Sequence, residues 1–140
     1  MSKTYSLKNV YRLDYDKSNY KSNLIDWYNR LIDKSVDELS VGDVSRMIRQ
    51  NILREVAIDR AIELFLHEPF DGEMQDGDLL ALLVSCAPEV VKSRRREILI
   101  TMISKLENEI ADFDWANKES KPLFERNVIA LKNILLQGSV

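Results

Sequence analysis

One residue in 140 is a cysteine, so no disulfide can form within the chain. Cys86 lies in an apolar run, and a single thiol there suits a reducing compartment and reads as a packed, inert side chain. Glycine occurs four times and proline three times, which leaves long stretches without a breaker of helix. There is one histidine, His67. Without a second histidine or a cysteine nearby in sequence, it reads as a group at a helix C-terminus rather than a catalytic base. No uninterrupted apolar run reaches the roughly 18 residues of a membrane span. The first residues, Met-Ser-Lys-Thr-Tyr-Ser-Leu-Lys, lack the apolar core of a secretory signal. A P-loop, a dinucleotide fingerprint, a nucleophile elbow and a metalloprotease motif are all missing. Catalysis by those routes is excluded, and a cytoplasmic protein without membrane attachment is expected.

What is present is helical periodicity. Leu24, Trp27, Tyr28, Leu31 and Ile32 share one face, and Ser22 or Asn23 can cap a helix reaching about Asp33. Ser35 and Glu38 have the spacing of a capping box and open a single turn ending near Leu39 and Ser40. Asp43 is the expected cap of a helix through Val44, Met47 and Ile48. Residues 52–67 carry an amphipathic stripe of Ile52, Leu53, Val56, Ala57, Ala61, Leu64 and Phe65, stopped by Pro69. Asp78 caps an apolar helix, Leu79 to Ala87. Pro88 then starts a helix to about Phe113, with Val90, Val91, Ile98, Leu99, Met102, Ile103, Leu106 and Ile110 on its buried face. Pro122 starts the last helix, lined by Leu123, Val128, Leu131, Ile134 and Leu135. Residues 1–17 read as an irregular or weakly helical lead-in. No pattern of period two persists. The expected fold is all-α, a single domain over residues 1–140 built as a bundle of about six helices.

Charge is distributed unevenly. Residues 1–66 balance at +1, residues 67–78 at −5 with no base, and residues 79–140 at +1, giving the net charge of −3. The whole excess therefore sits on Glu68, Asp71, Glu73, Asp76 and Asp78. Five carboxylates close together attract a cation or a basic protein surface and repel nucleic acid. Calcium geometry does not fit. Counting from Asp71, the sixth position is Asp76 where the loop needs glycine, and the twelfth is Leu82 where it needs glutamate. No metal or other cofactor is expected. The Asp71-Gly72 and Asp76-Gly77 pairs read first as turn chemistry, and no substrate pocket or catalytic partner is apparent beside them. The run Arg94-Arg95-Arg96 is flanked by Glu89 and Glu97, which reads as a solvated helix face or an internal partner of the acidic stretch, not as a nucleic-acid footprint. Phe70 and Trp115 stand beside acids and are candidate aromatic anchors of an interface.

The segment Leu39-Ser40-Val41-Gly42-Asp43-Val44-Ser45-Arg46-Met47-Ile48-Arg49-Gln50-Asn51, with Glu68-Pro69-Phe70-Asp71-Gly72-Glu73-Met74-Gln75-Asp76-Gly77-Asp78-Leu79-Leu80 after it, resembles a family of bacterial immunity proteins of contact-dependent growth inhibition (CDI) systems. The likeness spans about residues 35–85, and Pro-Phe-Asp-Gly-Glu-Met-x-Asp-Gly is its specific part. The resemblance implies a cytoplasmic, non-enzymatic protein that binds and blocks the C-terminal domain of a toxin, as a heterodimer. It implies a nuclease toxin, an RNase before a DNase, and no nucleic acid, membrane or small-molecule substrate as a direct partner. The expected partner-binding residues are Glu68, Phe70, Asp71, Glu73, Asp76, Asp78 and Trp115. A second reading of the stretch is structural, with Phe70 and Met74 tucked into the core. An alternative for the whole chain is a helical adaptor that binds another basic partner through the same acids.

Overall fold

The first two helices are joined by main-chain bonds rather than by side chains alone. The N–H groups of Leu7 and Lys8 donate to the carbonyls of Lys34 and Ile32, both at 2.8 Å. The free donors that open α1 (Leu7–Tyr11) are thereby satisfied by carbonyls just past the end of α2 (Asn23–Leu31). Leu7 is fully buried, so of the two readings of the lead-in, irregular or weakly helical, the short docked helix is the one observed over residues 7–11. The computed structural model describes residues 5–18, 22–70, 78–115 and 118–137.

Ser22 caps α2 with its hydroxyl, which accepts from the N–H of Leu24. Ser35 and Glu38 form the expected capping box on a 3-10 turn, Val36–Glu38. α3 (Val41–Arg49) starts earlier than expected. Its cap is Ser40, and Asp43 is the third residue, bonding back to the Ser40 N–H at 3.1 Å. Asp43 is thus the reciprocal half of a box, not the cap itself. Asn51, with φ of 55°, ends α3. The Ile52 N–H returns to the Met47 carbonyl and the Asn51 N–H to that of Ile48, a Schellman closure in which asparagine takes the left-handed position. That closure occupies Ile52 and Leu53, so α4 runs from Arg54 to His67 rather than from 52.

α5 (Asp78–Ser85) and α6 (Ala87–Val91) follow, and Pro88 sits in the first turn of α6 as expected. The expected helix over 88–113 is divided. Ser93 accepts the Arg95 N–H on its hydroxyl at 3.0 Å and the Arg96 N–H on its carbonyl at 3.1 Å, so the chain turns before α7 (Arg96–Glu109) begins. A 3-10 turn, Ile110–Asp112, closes α7, and α8 runs from Ser120 to Gln137. The described residues hold eight α-helices and no strand, an all-α fold. The count exceeds the expected six because α1 forms and the long helix divides.

α4 touches α3, α5, α6 and α7, while α8 touches α5, α6 and α7. The core lies between these helices. α4 gives Ala57, Ala61, Ile62 and Phe65, α5 gives Leu79, Leu80 and Leu83, and α8 gives Phe124, Val128, Leu131 and Leu135. Each large side chain buried there stabilises the fold by roughly 1.5–3 kcal/mol relative to exposure. Ile98 and Leu123, expected inside, are 57% and 48% exposed. The helical stripes that face inward are Leu99–Ile103–Leu106–Ile110, all expected there, and Phe124–Val128–Leu131–Leu135, in which Phe124 takes the place expected of Leu123.

Among the described residues the arginine run is engaged by α4 and α8. Arg95 reaches Asp59 at 3.0 Å and Glu63 at 3.3 Å on α4, and Arg94 reaches Asp59 at 3.8 Å. Arg96 donates to the carbonyl of Leu135, satisfying the C-terminal end of α8. These contacts tie the turn before α7 to its neighbours. Arg54 similarly spans α3, α4 and α6, donating to the Ile48 carbonyl at 3.2 Å and to Glu89 at 3.4 Å. No helix among the described residues is long and apolar enough to cross a membrane.

Candidate partner-binding surface

The acidic stretch begins where α4 stops. Glu68 closes α4 by donating its N–H to the Leu64 carbonyl at 2.8 Å, and its side chain is exposed. Pro69 follows, and Phe70 turns inward. Its ring stacks on Phe113 at 4.1 Å between centroids and on Phe124 at 5.0 Å, and it meets Trp115 edge-on at 5.7 Å. Trp115 in turn packs edge-on against Phe113 at 4.8 Å and Phe124 at 5.1 Å. Its indole N–H points to the Ile110 carbonyl at 3.4 Å, at the end of α7. Offset and edge-to-face geometries of this kind are the favourable ones for aromatic rings.

Four rings from three segments therefore form one cluster. Phe70 brings in the end of α4, Phe113 and Trp115 bring in the connection after α7, and Phe124 is a buried residue of α8. The far side of the acidic stretch is fixed by α5, whose Leu79 and Leu80 are fully buried. Asp78, half-buried, is the first residue of α5. Asp71, Glu73 and Asp76, with Met74 of the core reading, lie outside the described residues. Of the seven residues expected at the surface, Phe70 and Trp115 are brought together, but on each other rather than outward.

The cluster also assembles what sequence reading missed. Asp112 and Asp114 flank Phe113, and both are exposed. Phe113 stacks on Phe70, so the segment that carries these exposed carboxylates packs against the chain two residues past Glu68. Neither Glu68, Asp112 nor Asp114 has an ion-pair partner among the described residues. Nearby Glu107 and Glu109 do, with Lys132 at 2.7 Å and Lys105 at 3.8 Å. The available signal was the base-free run from Glu107 to Asn117. Its relation to residues 68–78 required the long-range ring contacts.

No group of three or more His, Cys, Asp or Glu that could hold a metal ion is found among the described residues. Cys86 is buried. His67 is the last residue of α4 and is exposed.

Residues 9–100, about two thirds of the chain, match the family model described as CDI immunity proteins, and the chain belongs to that family. The match includes α2 to α6 and the whole acidic stretch. Its role is accordingly that of an immunity protein against a CDI toxin. No curated protein matches the chain.

Proposed function

We propose that this immunity protein is a non-enzymatic, cytoplasmic inhibitor that forms a heterodimer with the C-terminal domain of its cognate toxin. The toxin on this reading is a nuclease, an RNase before a DNase. The observation that carries the proposal is a set of exposed carboxylates with no ion-pair partner among the described residues, Glu68, Asp112 and Asp114, on segments joined by the Phe70–Phe113 stack; the sequence adds Asp71, Glu73, Asp76 and Asp78 after Glu68. A nuclease is basic where it grips phosphates. A carboxylate-rich surface is complementary to that groove, speeds encounter and covers the approach of RNA or DNA. Inhibition is then occlusion of substrate access. Phe70 and Trp115 act by holding the acidic face in place through their mutual packing.

Neutralising the face tests this. The variant Glu68→Gln, Asp71→Asn, Glu73→Gln, Asp76→Asn, Asp78→Asn, Asp112→Asn, Asp114→Asn keeps side-chain size while removing the charges. Stopped-flow association with the cognate toxin domain is expected to slow by about tenfold or more at low salt, with a flatter dependence on ionic strength. An unchanged rate and salt slope in a still-folded protein would move the contact elsewhere.

A further inference from the structure

A second acidic feature lies on the opposite part of the sequence, around α2. The chain from Leu13 to Lys17 is extended rather than helical, and it is clamped to α2 at both edges of Asp16. Asn29 accepts the Asp16 N–H at 2.8 Å and donates to the Asp16 carbonyl at 3.1 Å. One residue earlier, the Tyr15 hydroxyl donates to Asp33 at 2.6 Å, and Lys8 lies over the Tyr15 ring at 5.0 Å. Three side chains thus hold a short non-helical segment in a fixed register.

Between that segment and α2 lies a pocket of about 380 Å³. Its floor is apolar, made by Leu24, Ile25, Tyr28 and Ile52, and its rim carries Asp14 and Asp16. Neither carboxylate has a cationic partner among the described residues. Among the described residues the Asp16 carboxylate accepts the Ser18 N–H at 3.0 Å. Another cavity, about 410 Å³ beside α4 and α6, is lined by bases as well as acids, Lys92 and Arg94 with Glu55, Asp59 and Glu89. Asp59 there is paired with Arg94 and Arg95, and Glu89 with Arg54.

An apolar floor under an anionic rim has the chemistry of a long basic side chain. The methylene stem of arginine or lysine lies on aliphatic and aromatic carbon, and its charged head meets carboxylate. We infer that this pocket receives an arginine or lysine side chain of the toxin domain. The inference rests on the proposed function for its partner, but not on the acidic face at 68–78. The fastened segment means that the pocket exists before binding, so little ordering cost accompanies insertion. Asp14 and Asp16 are exposed here, and insertion would cover them; a charge contact buried in the complex acts chiefly on dissociation, whereas one left at the edge acts on association.

The test is the double variant Asp14→Asn, Asp16→Asn, in which asparagine at 16 still accepts the Ser18 N–H. Affinity and dissociation rate for the cognate toxin domain are measured beside the intact protein, with thermal melts of both. The expected result is at least a tenfold weaker complex, arising from faster dissociation, with an unchanged melt. Affinity within twofold of the intact protein overturns the pocket while leaving toxin binding itself standing. Failure of the intact protein to bind the toxin domain at all overturns both the pocket and the proposed function.

Discussion

Phe70→Ala is expected to lower the stability of the folded protein by about 2–4 kcal/mol, the range for deleting a packed aromatic that is not fully buried. For a chain of this size that is a fall in melting temperature of roughly 10 °C. The reason is the position of the ring, stacked on Phe113 and Phe124 and edge-on to Trp115. Removing it opens a void that the three remaining rings cannot fill without breaking their own contacts. Trp115 should report the change, because its emission depends on the packing around the indole. The result separates two roles for Phe70. As an internal strut it costs stability, and toxin association then weakens because the acidic face loses its support. As an anchor inserted into the partner it would leave the melt untouched and change only affinity. A melt within about 1 °C of the parent would therefore restore the anchor reading.

Asp43→Ala carries the second large effect, about 2–3 kcal/mol at neutral pH, from losing half of a capping box and the partners of its carboxylate. Asp43 is 8% exposed. It pairs with Lys34 at 2.7 Å, accepts the Ser40 N–H at 3.1 Å and is approached by the Trp27 indole N–H at 3.4 Å. Arg46 lies over the Trp27 ring at 4.8 Å, so the site also orders the aromatic. Burial is the strongest single influence on the Asp43 carboxyl and pushes its pKa up. The Lys34 and Ser40 hydrogen bonds, the Lys34 charge and the Trp27 contact together outweigh it, and the net position is below the ordinary 3.8. A carboxyl with a depressed folded-state pKa gives stability that is fully present above the unfolded value and lost as pH falls through the folded one. Glu38 is shifted in the same direction, held by the Ser35 N–H and hydroxyl. Denaturant unfolding of the parent should therefore weaken as pH drops below about 4. The Asp43→Ala protein should lose less over that interval, so the two stabilities converge in acid. A difference between them that stays constant from neutral pH down to pH 3 would remove Asp43 from the acid response.

Local signals were legible in the sequence, and contacts between distant segments were not. The Ser22 cap, the Ser35–Glu38 box and the stop at Pro69 are set by neighbours within a few residues, and each stands where spacing placed it. Asp43 has the chemistry of a cap, but Ser40 three residues earlier has it too, and the structure uses both in one reciprocal box. The break at Ser93 is hidden in a helix-compatible run, Lys92 to Glu97. It is held by the Ser93 bonds and by Arg95 reaching Asp59 and Glu63 on another helix. Charge counting located the acidic stretch, but it could not show that the segment carrying Asp112 and Asp114 packs against Phe70. That follows from Phe113 stacking on Phe70, a pairing no periodicity encodes.

The most direct measurement of the central claim is a titration of toxin activity. The cognate toxin C-terminal domain is held at fixed concentration, its cleavage of RNA and of DNA is followed, and the immunity protein is added stepwise. The account predicts that nuclease activity falls linearly and vanishes at one equivalent, with the complex eluting as a heterodimer. Nuclease activity that persists in the presence of a large excess of the folded protein would contradict it.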